Sequence, residues 1–85
     1  MGNFMTEYDR ILADLIKGLA PFTNGKTVTE STELVGDLDL DSLKIMELLL
    51  FVEDSFDISI PVSILPDVKT VGDLAKQVEK IVGNA

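Results

Sequence analysis

The chain has 85 residues, of which 46% are hydrophobic, and a formal charge of −8 from 15 acidic against 7 basic side chains, enough for one small core spanning 1–85. With neither cysteine nor histidine, it has no disulfide framework, no thiolate nucleophile and no thiolate metal site, and it lacks both the usual general base and the commonest metal ligand. The acidic balance argues against nucleic acid and anionic membrane as partners, and it favours proteins that carry basic patches.

In chain order, residues 1–5 are expected to form a flexible N-terminus. Met1–Thr6 fits the M-G-x-x-x-[ST] pattern of N-myristoylation. That pattern is short, and a start residue ahead of a second start at Met5 is the plainer reading. No charged-then-apolar signal opens the chain and no stretch is long or apolar enough to cross a membrane. A cytoplasmic protein without stable membrane insertion is expected.

Helix one should begin at Thr6, where Thr6-x-x-Asp9 offers a capping pair. Tyr8, Ile11, Leu12, Leu15, Ile16 and Leu19 then form one apolar stripe at helical spacing, and Pro21 stops it. Residues 20–41 form a long connection from which Val28, Leu34, Val35 and Leu38 are expected to tuck into the bundle, with a short helical turn near Ser31–Leu34. Ser42–Phe56 reads as the central helix. Asp57–Pro61 reads as an extended link and Val62–Leu65 as a turn or short third helix ending before Pro66. The last helix starts at Thr70 with the capping pair Thr70-x-x-Asp73. It carries the stripe Val71, Leu74, Ala75, Val78, Ile81 and Val82, and Gly83 serves as its cap. Three long helices and one short one, with a long loop between the first two, predict an all-α, small four-helix bundle.

The central helix has two apolar faces. Ile45, Leu48, Leu49, Val52 and Phe56 fall within about 60° of one line at 100° per residue, which suits a core. Leu43, Met46 and Leu50 cluster opposite, bordered by Glu47, Glu53 and Asp54. A helix that only covered a core would keep that second face polar, and a chain this short can hardly bury both. The second face therefore reads as a contact surface.

Asp37, Asp39 and Asp41 alternate before this helix and invite a calcium-loop reading. The EF-hand pattern fails, because its required Gly and Glu positions hold Ser42 and Leu48. Ser42 has two readings: an N-cap favoured by the acids around a helix start, or a modification site beside that start. No residue in the chain is placed to activate it as a nucleophile.

Asp37-Leu38-Asp39-Leu40-Asp41-Ser42-Leu43, followed by Glu47, Phe56 and Ile60-Pro61, resembles the acyl carrier protein family, and the likeness covers nearly the whole chain. The resemblance implies a carrier serving other enzymes and not an enzyme itself. Ser42 would receive 4′-phosphopantetheine covalently from coenzyme A through a separate phosphopantetheinyl transferase, with Asp41 helping to present it. The arm's thiol would hold acyl groups as thioesters, which supplies the reactive thiol the chain lacks. Leu43, Met46, Glu47, Leu50, Glu53 and Asp54 would form the recognition surface for acyl-loading and acyl-processing enzymes with basic patches. The carrier would be a monomer with no metal site of its own, serving fatty-acid, lipid or polyketide synthesis. Ile45, Leu49, Val52, Ile60, Leu65 and Val71 would line any space for a long cargo. An aminoacyl, peptidyl or D-alanyl carrier keeps the same logic with another cargo, and an unmodified helical adaptor would use Ser42 only as a cap. Two positions depart from the family: Asp39 stands where many carriers have Gly, and Lys44 where many fatty-acid carriers have an acid. Asp tolerates a left-handed turn better than most residues, so the turn is expected to survive.

Overall fold

A computed structural model describes residues 6–83. Segment 1–5, expected to be flexible and carrying most of the lipidation pattern, lies outside the described residues.

Helix α1 spans Glu7–Gly18. The Thr6 hydroxyl accepts from the Asp9 amide and the Asp9 carboxylate accepts from the Thr6 amide, both at 3.1 Å. Two donors that the helix start leaves orphaned are thereby satisfied, as the sequence predicts. Ile11, Leu15 and Leu19 are buried, with Tyr8, Leu12 and Ile16 packed partly against the same core. The chain does not simply stop at Pro21: Ala20–Phe22 form a 3-10 helix containing it. Proline is tolerated in a first turn because its missing N–H has no intrahelical partner there.

The long loop is tied to the start of the last helix. Glu33 and Thr70 pair as an isolated antiparallel bridge. The Leu34 amide donates to the Lys69 carbonyl at 3.0 Å, Val71 to Thr32 at 2.9 Å and Gly72 to Glu30 at 2.9 Å. The helical turn expected near Ser31–Leu34 is therefore absent, because those backbone groups find partners across the molecule. Leu34 and Leu38 are buried and Val28 is half-buried, as expected, but Val35 is 60% exposed. The amides of Asp37 and Leu38 both donate to the Glu33 carbonyl, at 3.0 and 3.1 Å, and the turn they close lifts Val35 off the core.

Helix α2 spans Ser42–Phe56, burying Leu48, Leu49 and Val52. It ends at Asp57, in the left-handed region at φ 55°, ψ 50°, so the expected extended link begins one residue later. A second 3-10 helix covers Val62–Asp67 and runs through Pro66, two residues beyond the expected stop at Leu65.

Helix α3 spans Val71–Gly83, so Gly83 is its last helical residue and not a cap beyond it. The Asp73 carboxylate accepts from the Thr70 and Lys69 amides, both at 3.0 Å, while the Asp73 amide donates to the Thr70 hydroxyl at 3.1 Å. Those donated bonds, the Thr70 amide first, hold Asp73 below the usual carboxylate range. Val71, Leu74, Ala75 and Val78 are buried and Ile81 and Val82 partly so.

Helix α1 packs chiefly against α3 and less extensively against α2. At the α1–α3 contact, the Tyr8 hydroxyl donates to Glu30 Oε2 at 2.8 Å. Gly72 sits beneath this pair, where a Cβ would lie 3.0 Å from the Glu30 carbonyl and 3.1 Å from Tyr8 Oη. Burial first, and then the Glu30 carboxylate, push the Tyr8 hydroxyl up to about 12. The described residues form the small all-α bundle the sequence predicts, with its three long helices and the short one before α3, plus a further 3-10 turn after α1, and they hold no strand beyond the single bridge.

Candidate functional site

The alternation of Leu and Asp before α2 has a direct structural meaning. Leu38 and Leu40 point inward and are 5% exposed, so Asp37, Asp39 and Asp41 face out. Each acid then does a different job. Asp37 Oδ2 accepts from the Glu33 amide at 2.8 Å, and its carbonyl accepts from Lys26 Nζ at 2.8 Å. Asp39 takes the left-handed conformation at φ 56° that the turn requires. Asp is among the few side chains that reach it without large cost, so the departure from Gly is absorbed locally. Asp41, with extended backbone at φ −92°, ψ −179°, is the N-cap, its Oδ1 accepting from the Lys44 amide at 2.9 Å. Among the described residues these acids do not gather into a group of three that could hold a metal ion.

This corrects the cap reading of Ser42. Asp and Ser are equally good N-caps, and the cap falls to the residue with extended backbone, which is Asp41. Ser42 becomes the first helical residue. It is exposed, and its hydroxyl has no hydrogen-bond partner among the described residues.

Ser42 opens onto a cleft of about 610 Å³. The loop supplies Leu34 and Val35, α2 supplies Ile45, Met46, Leu48 and Leu49, and Leu65, Val68 and Leu74 close the far side. Of the residues expected to line a cargo space, Ile45, Leu49 and Leu65 do so. Val52, Ile60 and Val71 instead pack in the core, and the cleft lining does not include them. Leu34, Val68 and Leu74 were not anticipated, because they reach the cleft only through the pairing of loop and α3, which leaves no local sequence signal. Glu33 and Lys69 are the charged residues of the lining.

The second apolar face of α2 is open to solvent: Leu43 is 66% exposed, Leu50 62% and Met46 42%. Glu47 and Asp54 are exposed beside it. Glu53 departs from this group, since its Oε2 accepts from the Ile60 amide at 2.7 Å and closes the turn after α2. An exposed, unengaged hydroxyl at a helix N-terminus, beside an apolar cleft, fits a serine that bears a phosphodiester and a flexible arm.

Residues 10–78 match the family model described as a phosphopantetheine attachment site. The chain belongs to the acyl carrier protein family. Its cofactor is accordingly phosphopantetheine, and the family is one of carriers, not catalysts. An acyl carrier protein of Thermobifida fusca is 36% identical over 69 residues, covering 81% of this chain and 86% of the relative. A meromycolate extension acyl carrier protein of Mycolicibacterium aurum is 34% identical over 74 residues, 80% of this chain and 76% of that one. A probable acyl carrier protein of Caulobacter vibrioides is 47% identical over 45 residues, and there the match spans 53% of this chain and 52% of the relative. The crystal structure of an acyl carrier protein from Thermotoga maritima shares the fold with a TM-score of 0.77 at 23% identity, over 96% of this chain and 98% of that one.

Proposed function

We propose that residues 1–85 form one carrier domain, a cytoplasmic monomer and not an enzyme, whose Ser42 bears 4′-phosphopantetheine and whose arm delivers acyl thioesters to partner enzymes of fatty-acid, lipid or polyketide synthesis. The observation that carries this reading is Ser42 itself, exposed, its hydroxyl without a hydrogen-bond partner among the described residues, and opening directly onto the cleft. When attached, the arm supplies the thiol on which cargo is carried; this chain's residues hold the serine and shelter what it carries. Asp41 fixes the helix start, so that Ser42 Oγ is presented to a transferase from a rigid first turn. The apolar walls built by Leu34, Ile45, Leu48, Leu49 and Leu74 favour an aliphatic acyl cargo over an aminoacyl one, which needs no such shelter. The outer face of α2, with Leu43, Met46 and Leu50 beside Glu47 and Asp54, is the docking surface for enzymes with basic patches. Glu53 is left out of that surface because the Ile60 amide holds its carboxylate.

The test is intact mass after incubation with coenzyme A and a broad-specificity phosphopantetheinyl transferase. One phosphopantetheine should be gained by the wild-type chain and none by Ser42→Ala. A folded wild-type chain that gains nothing, or a loaded Ser42→Ala, would refute the assignment.

A further inference from the structure

Phe51 stands outside the core stripe of α2 and is 37% exposed. At about 100° per residue, Asp54, Glu47 and Phe51 fall within about 60° of one another, immediately beside Leu43 and Leu50. Glu47 and Phe51 are four residues apart, and Phe51 and Asp54 three, so their side chains are surface neighbours. The position of the ring depends on Gly18, the last residue of α1. A Cβ at Gly18 would overlap Cε2 and Cζ of the ring. The missing side chain provides a seat, so the ring bridges from α2 to α1 and does not stand free in solvent.

The same face already holds a cation. Lys44 Nζ lies 3.7 Å from Glu47 Oε1, with the two side chains 55% and 48% exposed. A pair so exposed is weak and is displaced by a cation that binds better. A guanidinium is such a cation, because it is planar and weakly hydrated, stacks on an aromatic ring and pairs with carboxylates through the same fork. An ammonium is compact and strongly hydrated, and gains less from the ring. A second copy of this chain is a poor source, with a single arginine, Arg10, and a formal charge of −8.

We infer that Phe51, seated on Gly18, is a specificity-determining residue of the docking face: with Glu47 and Asp54 it forms a socket for an arginine side chain of a partner protein. The inference rests on the outer face of α2 being the docking surface, and it narrows the partner from basic to arginine-presenting.

The experiment titrates the full chain, loaded with phosphopantetheine, with hexa-arginine and separately with hexa-lysine, followed by NMR shifts of the α2 amides and the Phe51 ring. Hexa-arginine should bind about two- to fivefold more tightly than hexa-lysine, moving the ring resonances. In Phe51→Leu, which keeps an apolar side chain, the preference should shrink to what the carboxylates alone give through the guanidinium fork. In Gly18→Ala, which unseats the ring without removing it, the preference should shrink. Equal binding by the wild-type chain, or an arginine preference undiminished in Phe51→Leu, would overturn the socket. Loading of Ser42 in the same preparations separates the two ideas, because a loaded Phe51→Leu leaves the carrier reading standing whatever the peptides do.

Discussion

Replacing Asp41 and Ser42 one at a time separates two roles that adjacent cap-forming residues blur. In Asp41→Ala the Lys44 amide loses its acceptor at 2.9 Å, and losing an N-cap typically costs about 1 kcal/mol within a range of roughly 0.5–2. The negative charge facing the helix start is lost too, adding roughly 0.3–1 kcal/mol. The expected total of about 1–2 kcal/mol corresponds to roughly 4–8 °C in melting temperature per kcal/mol for a domain of this size. Ser42→Ala removes an exposed hydroxyl that has no partner among the described residues, so it should stay within about 0.5 kcal/mol of wild type. Asp41→Asn keeps the capping oxygen and loses the charge, and should fall between them. Urea unfolding of the unmodified proteins at pH 7, followed by far-ultraviolet circular dichroism, ranks the three. A Ser42→Ala protein as unstable as Asp41→Ala would mean that the serine caps the helix after all.

Glu53→Ala leaves the partly buried Ile60 amide without its 2.7 Å acceptor and should cost about 1–3 kcal/mol in the same assay, while Glu53→Gln, which can still accept, should recover most of it; equal losses would deny the turn-closing role. The raised Tyr8 hydroxyl links stability to alkaline pH. Its folded-state pKa of about 12 lies above the ordinary 10.0, so this contribution is fully present below pH 10 and fades as pH rises through 12. Tyr8 is the only tyrosine, so phenolate absorbance reports it directly, and Tyr8→Phe should flatten that part of the pH profile. Ionisation near pH 10 in the folded protein would contradict the hydrogen-bonded pair with Glu30.

The elements that local chemistry decides were legible in the sequence. Thr6 with Asp9 and Thr70 with Asp73 are close pairs whose side chains reach each other's backbone, so both helix starts follow from the residues. The two faces of α2 are equally readable, because angular position on a helix depends on spacing alone. Asp41 and Ser42 could not be ranked as caps, since both suit the role and only the backbone angles of the finished turn choose between them. The bridge at Glu33 depends on Thr70, far along the chain, while Val35 and Glu53 are set by turns closed on the Glu33 carbonyl and the Ile60 amide, which no helical or alternating pattern encodes. The same holds for the cleft: Leu34 and Leu74 look like ordinary core residues until the loop is fastened to α3.

That fastening should make the loop and the start of α3 open as one unit. The amides of Leu34, Val71 and Gly72 can open only by undoing one shared set of loop–α3 bonds, so their hydrogen exchange should be slow and concerted, as in a single foldon. Helix α2 lies outside this set, and the second 3-10 helix contributes no fully buried residue. The cleft beside Ser42 is thus a seam between a stiff half and a compliant one. On the carrier reading, a cargo larger than the resting space should be accommodated on the compliant side, by displacement of the same helix that presents the serine and the proposed docking face, so the size of the load would be written on the surface that partners read.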